Sequence, residues 1–277
     1  MKTLLALALT LSIAAAEEVK LEAKWIAGDR HDVAEESKIE TKVKATVRGA
    51  YGDPSGIAKQ SGKYNERKIR EYAEEVLESS ETATKITRAY SNSLKEVLKP
   101  SGKKVSSERT ALFGRTVTIV RAGASQQITS ELGPVEGDDA GDVVFVDQVY
   151  ALLPRHSIAV GKGWDVDPEA LGRAIFHEGY NPAIMHVSGK AILRDVSGKE
   201  GERVAKIALD WDVKLDKMEK IPGITYHLTG VAMFHVDRGH FLSLEASGPI
   251  EMDMSEGGNR MELEGKMSVS YRAKAAK

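Results

Sequence analysis

A strict two-residue period in the C-terminal third constrains this chain most. In VAKIALDWDVKL, Ala205, Ile207, Leu209, Trp211, Val213 and Leu215 fall at every second position. Successive side chains of an extended chain point to opposite faces, so this is the pattern of a strand with one buried face. The segment MELEGKMSVSYRAKA repeats it, with Met261, Leu263, Met267, Val269 and Tyr271 on one face and Glu262, Glu264, Lys266 and Ser268 on the other. In LTGVAMFHVDRGHFLSLEASGPIEMDM two alternating runs flank Asp237-Arg238-Gly239, where a turn places Gly239 at positive φ. Leu242, Leu244, Ala246, Ile250, Met252 and Met254 share one parity in the second run. IMHVSGKAILRDV reads as the hairpin partner of the first segment, across the glycine-rich turn Ser197-Gly198-Lys199-Glu200-Gly201. Residues 183–272 therefore read as a five-stranded antiparallel meander whose strands exceed the usual five or six residues. Long twisted strands in a meander curl into a half-barrel or barrel-like sheet with apolar residues inside. The expected fold class is mainly β, β-rich α+β at most.

The N-terminal half is less regular and is expected to form a second, smaller β-rich part. KIETKVKATVRG alternates Ile39, Val43 and Val47 with lysines and reads as a strand. GAYGDPSGIAKQSGKYN is dense in glycine and reads as a loop. Residues 64–99 fit two structures. Ile69, Tyr72, Ala73, Val76 and Leu77 share a helical face, and EEVLES and TKITRAY equally pair across Ser79-Ser80-Glu81-Thr82. RTVTIVRAG and QQITSEL form a hairpin around Ala122-Gly123-Ala124, PVEGDDAGD an acidic loop, and VVFVDQVYALLP an apolar run. The chain thus divides into 1–16, an N-terminal half over 17–150, a connecting segment over 151–182 and the meander over 183–277.

The chain opens with MKTLLALALTLSIAAAEE. A lysine, a short apolar run and small residues before Glu17 make a secretory signal peptide ending at Ala16. The run is shorter than the roughly 20 apolar residues a membrane helix needs, and no later segment approaches that length. There is no cysteine. The residue after the cleavage point is Glu17 rather than the cysteine of a bacterial lipoprotein, so no lipid anchor of that kind, no disulfide and no thiolate chemistry is expected. This usage suits an oxidising compartment, either the periplasm or the external medium. The net charge of −2, from 39 basic and 41 acidic residues, leaves no electrostatic footprint for nucleic acid.

The densest candidate for chemistry is ALLPRHSIAVGKGWDV. A phosphate-binding loop needs two glycines bracketing four residues, then Lys and Ser/Thr. Here Trp164 and Asp165 follow Gly161-Lys162-Gly163, so the motif fails. The stretch reads as a joint in which Pro154 ends a strand, Gly161 and Gly163 turn the chain, and Trp164 caps the core; Trp211 and Gly239 are the corresponding anchors of the meander. Among the histidines, His235 and His240 flank the 237–239 turn with Asp237 beside them, the weak candidate set for a metal. His227 shares parity with His235 but lies eight residues away along one strand, too far to share an ion. His156 and His177-Glu178 sit in loop-like sequence. Asp165, Asp167 and Glu169 alternate as calcium ligands do, without the glycine-containing loop that calcium sites use, and read as a solvated face. No nucleophile elbow occurs, no carboxylate pair stands out, and no cofactor is expected.

The order of signals is familiar: a secretion signal, Arg88-x-Tyr90, Leu153-Pro154, Val160 to Trp164, a strand with Ala205-x-Ile207, Thr229-Gly230 and the hairpin Phe234-x-Val236-x-x-Gly239. It resembles uncharacterised secreted β-rich proteins of environmental, planctomycete-like bacteria that carry a domain of unknown function. Their central motif has aspartate between glycine and tryptophan, where this chain has Lys162-Gly163. The resemblance implies a β-rich fold and favours the hairpin over 64–99; it implies no reaction and no catalytic residue. The functional expectation is a non-enzymatic binding or scaffold protein. Met233, Met252, Met254, Met261 and Met267 line a core or an adaptable surface that would hold an apolar small molecule or lipid. The alternatives are a hydrolase of cell-wall or polysaccharide material and a structural envelope protein. Sequence does not specify the oligomeric state.

Overall fold

A computed structural model describes residues 18–48, 57–80, 83–99, 103–122, 125–135, 143, 149–176, 180–217, 223–256 and 259–276. From the N-terminus, β1 (Glu18–Val19) precedes the long strands β2 (Arg30–Arg48), β3 (Ile57–Ser79) and β4 (Ala83–Leu98). The short strands β5 (Lys104–Arg109), β6 (Thr116–Ala122) and β7 (Ser125–Ser130) follow. A 3-10 turn (Tyr150–Leu152), β8 (Ile158–Ala159), β9 (Gly163–Asp165) and the helix α1 (Pro168–Phe176) lead to the meander. That meander is β10 (Met185–Ser197), β11 (Val204–Leu215), β12 (Gly223–His235), β13 (His240–Glu256) and β14 (Asn259–Ala275).

Twelve strands form one sheet in the order β7-β6-β4-β3-β2-β14-β13-β12-β11-β10-β9, with β5 also on β4. All pairings are antiparallel, as hairpin connections allow. The fold is mainly β, and the predicted five-stranded meander is present. Its last strand pairs with β2 from Arg260↔Thr46 to Ala275↔His31, so both halves of the chain share the sheet. Among the described residues β7 and β9 do not meet, so the sheet is open rather than a closed barrel.

Its curl follows from an aromatic bridge. The Arg121 guanidinium (β6) lies 5.1 Å from the Trp25 ring, Trp25 lies 5.1 Å from Tyr150, and Tyr150 lies 5.1 Å from Phe241 (β13). Five strand spacings separate β6 from β13, about 24 Å across a flat sheet. Three contacts of 5 Å span that gap only if the two walls lean toward each other. The inner faces then share one core, which holds Tyr72, Tyr90 and Ile119 together with Ile207, Trp211 and Phe234. Gly248 serves the same bend: a Cβ there would fall 1.7 Å from the His227 carbonyl oxygen, so only glycine lets β13 pass β12 at this point.

Several local expectations are revised. Residues 64–99 form the hairpin β3–β4. The loop expected over 49–65 is strand from Ile57 on, because β2 supplies a ladder partner for each residue up to Glu75 and that pairing overrides the glycines; residues 49–56 lie outside the described ones. β2 begins at Arg30, earlier than its alternation suggests. Leu242 does not face inward. A bulge between Met233↔Ser243 and Phe234↔Phe241 leaves Leu242 unpaired and turns Phe241 into the core, 3% exposed. The acidic stretch 136–142 lies outside the described residues.

Candidate functional site

The inner face of β2, β3 and β4 carries charge where the meander carries Leu and Phe. The ladders set Glu35 between Tyr271 and Arg70, and set Glu74 between His31 and Arg88. The Arg88 Nε donates to Glu74 Oε2 at 2.8 Å, its Nη1 donates to the Val143 carbonyl, and its guanidinium lies 5.3 Å from the Tyr72 ring centroid. The Tyr72 hydroxyl donates to Glu35 Oε1 at 2.6 Å, and Glu35 Oε2 lies 2.9 Å from Arg70 Nε. All five side chains are buried. Burial first, then the Glu35 charge, pushes the Tyr72 phenol well above its ordinary range, so it remains an O–H donor. Burial does the same to Tyr271.

On this inner face Glu35 and Glu74 are each paired with an arginine, Arg70 and Arg88. The sequence marks none of Glu35, Arg70 and Glu74, and offers Tyr72 only as an apolar-face residue. The one signal on offer was Arg88-x-Tyr90, which marks the strand that supplies the central arginine.

The two ends of the inner face differ. At the near end, the β12–β13 hairpin tip meets residues 20–29. The Lys24 amide donates to the Gly239 carbonyl at 2.9 Å and Gly28 N donates to the Val76 carbonyl at 2.8 Å, so this segment closes that end. Trp25, His31, Glu74, Tyr150, His240 and Tyr271 line a small cavity beneath it. At the far end, three adjacent strands present Met252 beside Leu263 beside Val43, then Met267 beside Ile39, then Val269. These six side chains are only half-buried. Met261 is half-buried beside them, and the side chain of Met254 lies outside the described residues. Met233 belongs to the outer face, because its neighbours Ala232 and Phe234 are the buried positions of β12.

The residues singled out from sequence fall as follows. His235 and His240 are paired across the turn, their ring centroids 5.4 Å apart. Asp237 is held by Arg203 at 2.6 and 3.0 Å and by the Arg203 amide at 2.8 Å. Those hydrogen bonds pull its carboxyl down to about 2. His235, Asp237 and His240 do not converge as a ligand set. Among the described residues the convergent group is Asp210, Asp212 and His227, on the outer face and exposed; His227 Nδ1 lies 2.8 Å from Asp212, a hydrogen bond that accounts for their closeness. Gly239 has φ 68° and abuts Lys24. Trp211 is buried on β11.

Around the joint, Pro154 is buried and follows the 3-10 turn, and Gly161 has φ 83° between β8 and β9. Gly163 approaches Ala191, where an added Cβ would lie 3.0 Å from the carbonyl oxygen. The Trp164 indole donates to the Leu152 carbonyl at 2.9 Å, and with Leu152 and Leu153 it packs toward Ile207, Leu209 and Phe241. Asp167 caps α1 by accepting from the Glu169 and Ala170 amides at 3.0 and 3.3 Å, while Arg155 holds its other oxygen at 2.6 Å. Cap duty therefore explains Asp167. His156 is exposed, and His177 and Glu178 lie outside the described residues.

Compared with known protein families and with curated proteins, the chain matches none. Among solved structures it is similar to a candidate exported protein with a YmcC-like fold from Bacteroides fragilis NCTC 9343. The two are 8% identical, with a TM-score of 0.24, over 92% of this chain and 99% of that one. Likeness at that level carries no argument about what this chain does.

Proposed function

We propose that this chain is an exported, non-catalytic binding protein that holds an apolar, lipid-like molecule on the far end of its inner face. The carrying observation is the row of half-buried Ile39, Val43, Met252, Leu263, Met267 and Val269 on three neighbouring strands. Apolar side chains on the inner side of a curled sheet belong to its core, and leaving six of them half in water costs stability unless something covers them. Methionine adapts to varied apolar shapes, which suits a ligand surface. In the wall beside this patch the buried Glu35 and Glu74 are each paired with an arginine. Export rests on the signal peptide over residues 1–16, and the motif order supports a place among the planctomycete-like secreted β-rich proteins.

Native mass spectrometry of residues 17–277, purified from the producing cell without detergent, tests this. The expected result is a reproducible added mass lost on denaturation and absent from the Leu263→Asp/Met267→Asp double variant. A bare chain mass, or an adduct unchanged in the double variant, overturns the proposal.

A further inference from the structure

At the near end three imidazoles stack across three strands. His240 lies 4.6 Å from His31 and 5.4 Å from His235, ring centroid to ring centroid. His31 is buried, and His240 Nδ1 is buried without a hydrogen-bond partner. His235 Nδ1 accepts from the Arg238 amide at 3.2 Å. The stack sits where the β12–β13 tip docks on residues 24–29 through the Lys24 amide and through Lys24 Nζ, which donates to the Asp237 carbonyl at 3.1 Å. We propose that this stack is an acid-sensitive clasp, whose protonation releases the hairpin tip together with residues 24–29 and uncovers the cavity lined by Trp25, Tyr150 and Tyr271.

The charges around the stack give a new proton little compensation. Lys24 on the docked segment, Arg238 on the tip and Arg203, just before β11, are cations. Of the nearby carboxylates, Glu74 on β3 is held by Arg88 of β4 and Asp237 on the tip is held by Arg203. Asp29 lines the same cavity, as do the phenols of Tyr150 and Tyr271. Burial, and then the neighbouring rings of His31 and His235, hold His240 down to about 4 in the docked state. A released imidazole titrates near 6.5. Between those values the released form binds a proton that the docked form does not. Docking is therefore fully favoured above about pH 6.5, weakens as the pH falls, and has lost this contribution by about pH 4.

Hydrogen exchange of the full chain at pH 7.5 and pH 5, corrected for the intrinsic exchange rate, tests the clasp. Peptides covering 20–31 and 233–243 are expected to lose protection by about tenfold to thirtyfold at pH 5, the factor one such ring supplies. Peptides from β11 should hold theirs. His240→Phe keeps a ring in the stack and removes the proton, and it should flatten the dependence; if that variant does not fold, His31→Phe takes its place, and the unsubstituted profile decides if neither does. Unchanged protection in 20–31 and 233–243, a dependence that survives the substitution, or loss of protection in step with β11 overturns the proposal.

Discussion

On the inner face of the sheet β11 buries Ala205, Ile207, Leu209, Trp211, Val213 and Leu215, whereas β3 buries Arg70, Tyr72, Glu74 and Val76. Both strands bury alternate residues, and both look into the same core. The difference lies in how each wall fails. An apolar wall is stabilised roughly in proportion to the area it removes from water, so each side chain contributes on its own account. The charged wall carries a desolvation cost on every ion, offset only while all partners stand in place. Arg88 holds Glu74 and the Val143 carbonyl at once, so a single loss there strands several groups.

That contrast can be broken at its strongest point first. Arg88→Ala leaves the Glu74 carboxyl buried without its arginine and is expected to cost about 3–5 kcal/mol in urea unfolding. Arg88→Leu/Glu74→Leu should recover most of that loss, because removing both charges also removes the desolvation. A double variant no more stable than the single one would mean that the wall is not governed by paired charge. In the apolar wall, Ile207→Val is expected to cost only about 0.5–1.5 kcal/mol by the same measurement, since one methylene leaves a small cavity. A loss as large as that of Arg88→Ala would erase the distinction. Least of all, Arg272→Ala breaks an outer-face pair with Glu245 whose side chains are 65% and 57% exposed, and the urea midpoint should not move measurably.

The same contrast explains what could be read from sequence. In β10 to β14 the buried face is also the apolar face, so the two-residue period is visible and predicts the strands. In β3 and β4 the inward positions include Arg70, Glu74, Arg88 and Ser93. Polarity alone marks those as surface, and the apolar residues left over fit a helix as well as a strand. The parity of Leu242 misleads because a bulge shifts the register at a point no side chain announces. The candidate sites follow suit. The His235–His240 pair is legible because a short turn joins the two positions. His31, more than two hundred residues away, becomes their neighbour only through the sheet. Arg203 is likewise invisible as the partner of Asp237, since that contact crosses from one hairpin to the next.

The pairing of β14 with β2 has a consequence for the order of assembly. The other long strands pair with neighbours in sequence, and β2 does so with β3 on one edge, but its second edge must wait for residues more than two hundred positions later. Closing so large a loop is slow relative to local hairpins. During synthesis the N-terminal strands can associate early, yet one edge of β2 then presents unpaired amides and carbonyls until the final strand arrives. β14 is thus the seam that joins the two walls. A chain shortened before residue 260 would lose that seam and leave a long, sticky edge, a hazard for aggregation rather than a smaller working protein.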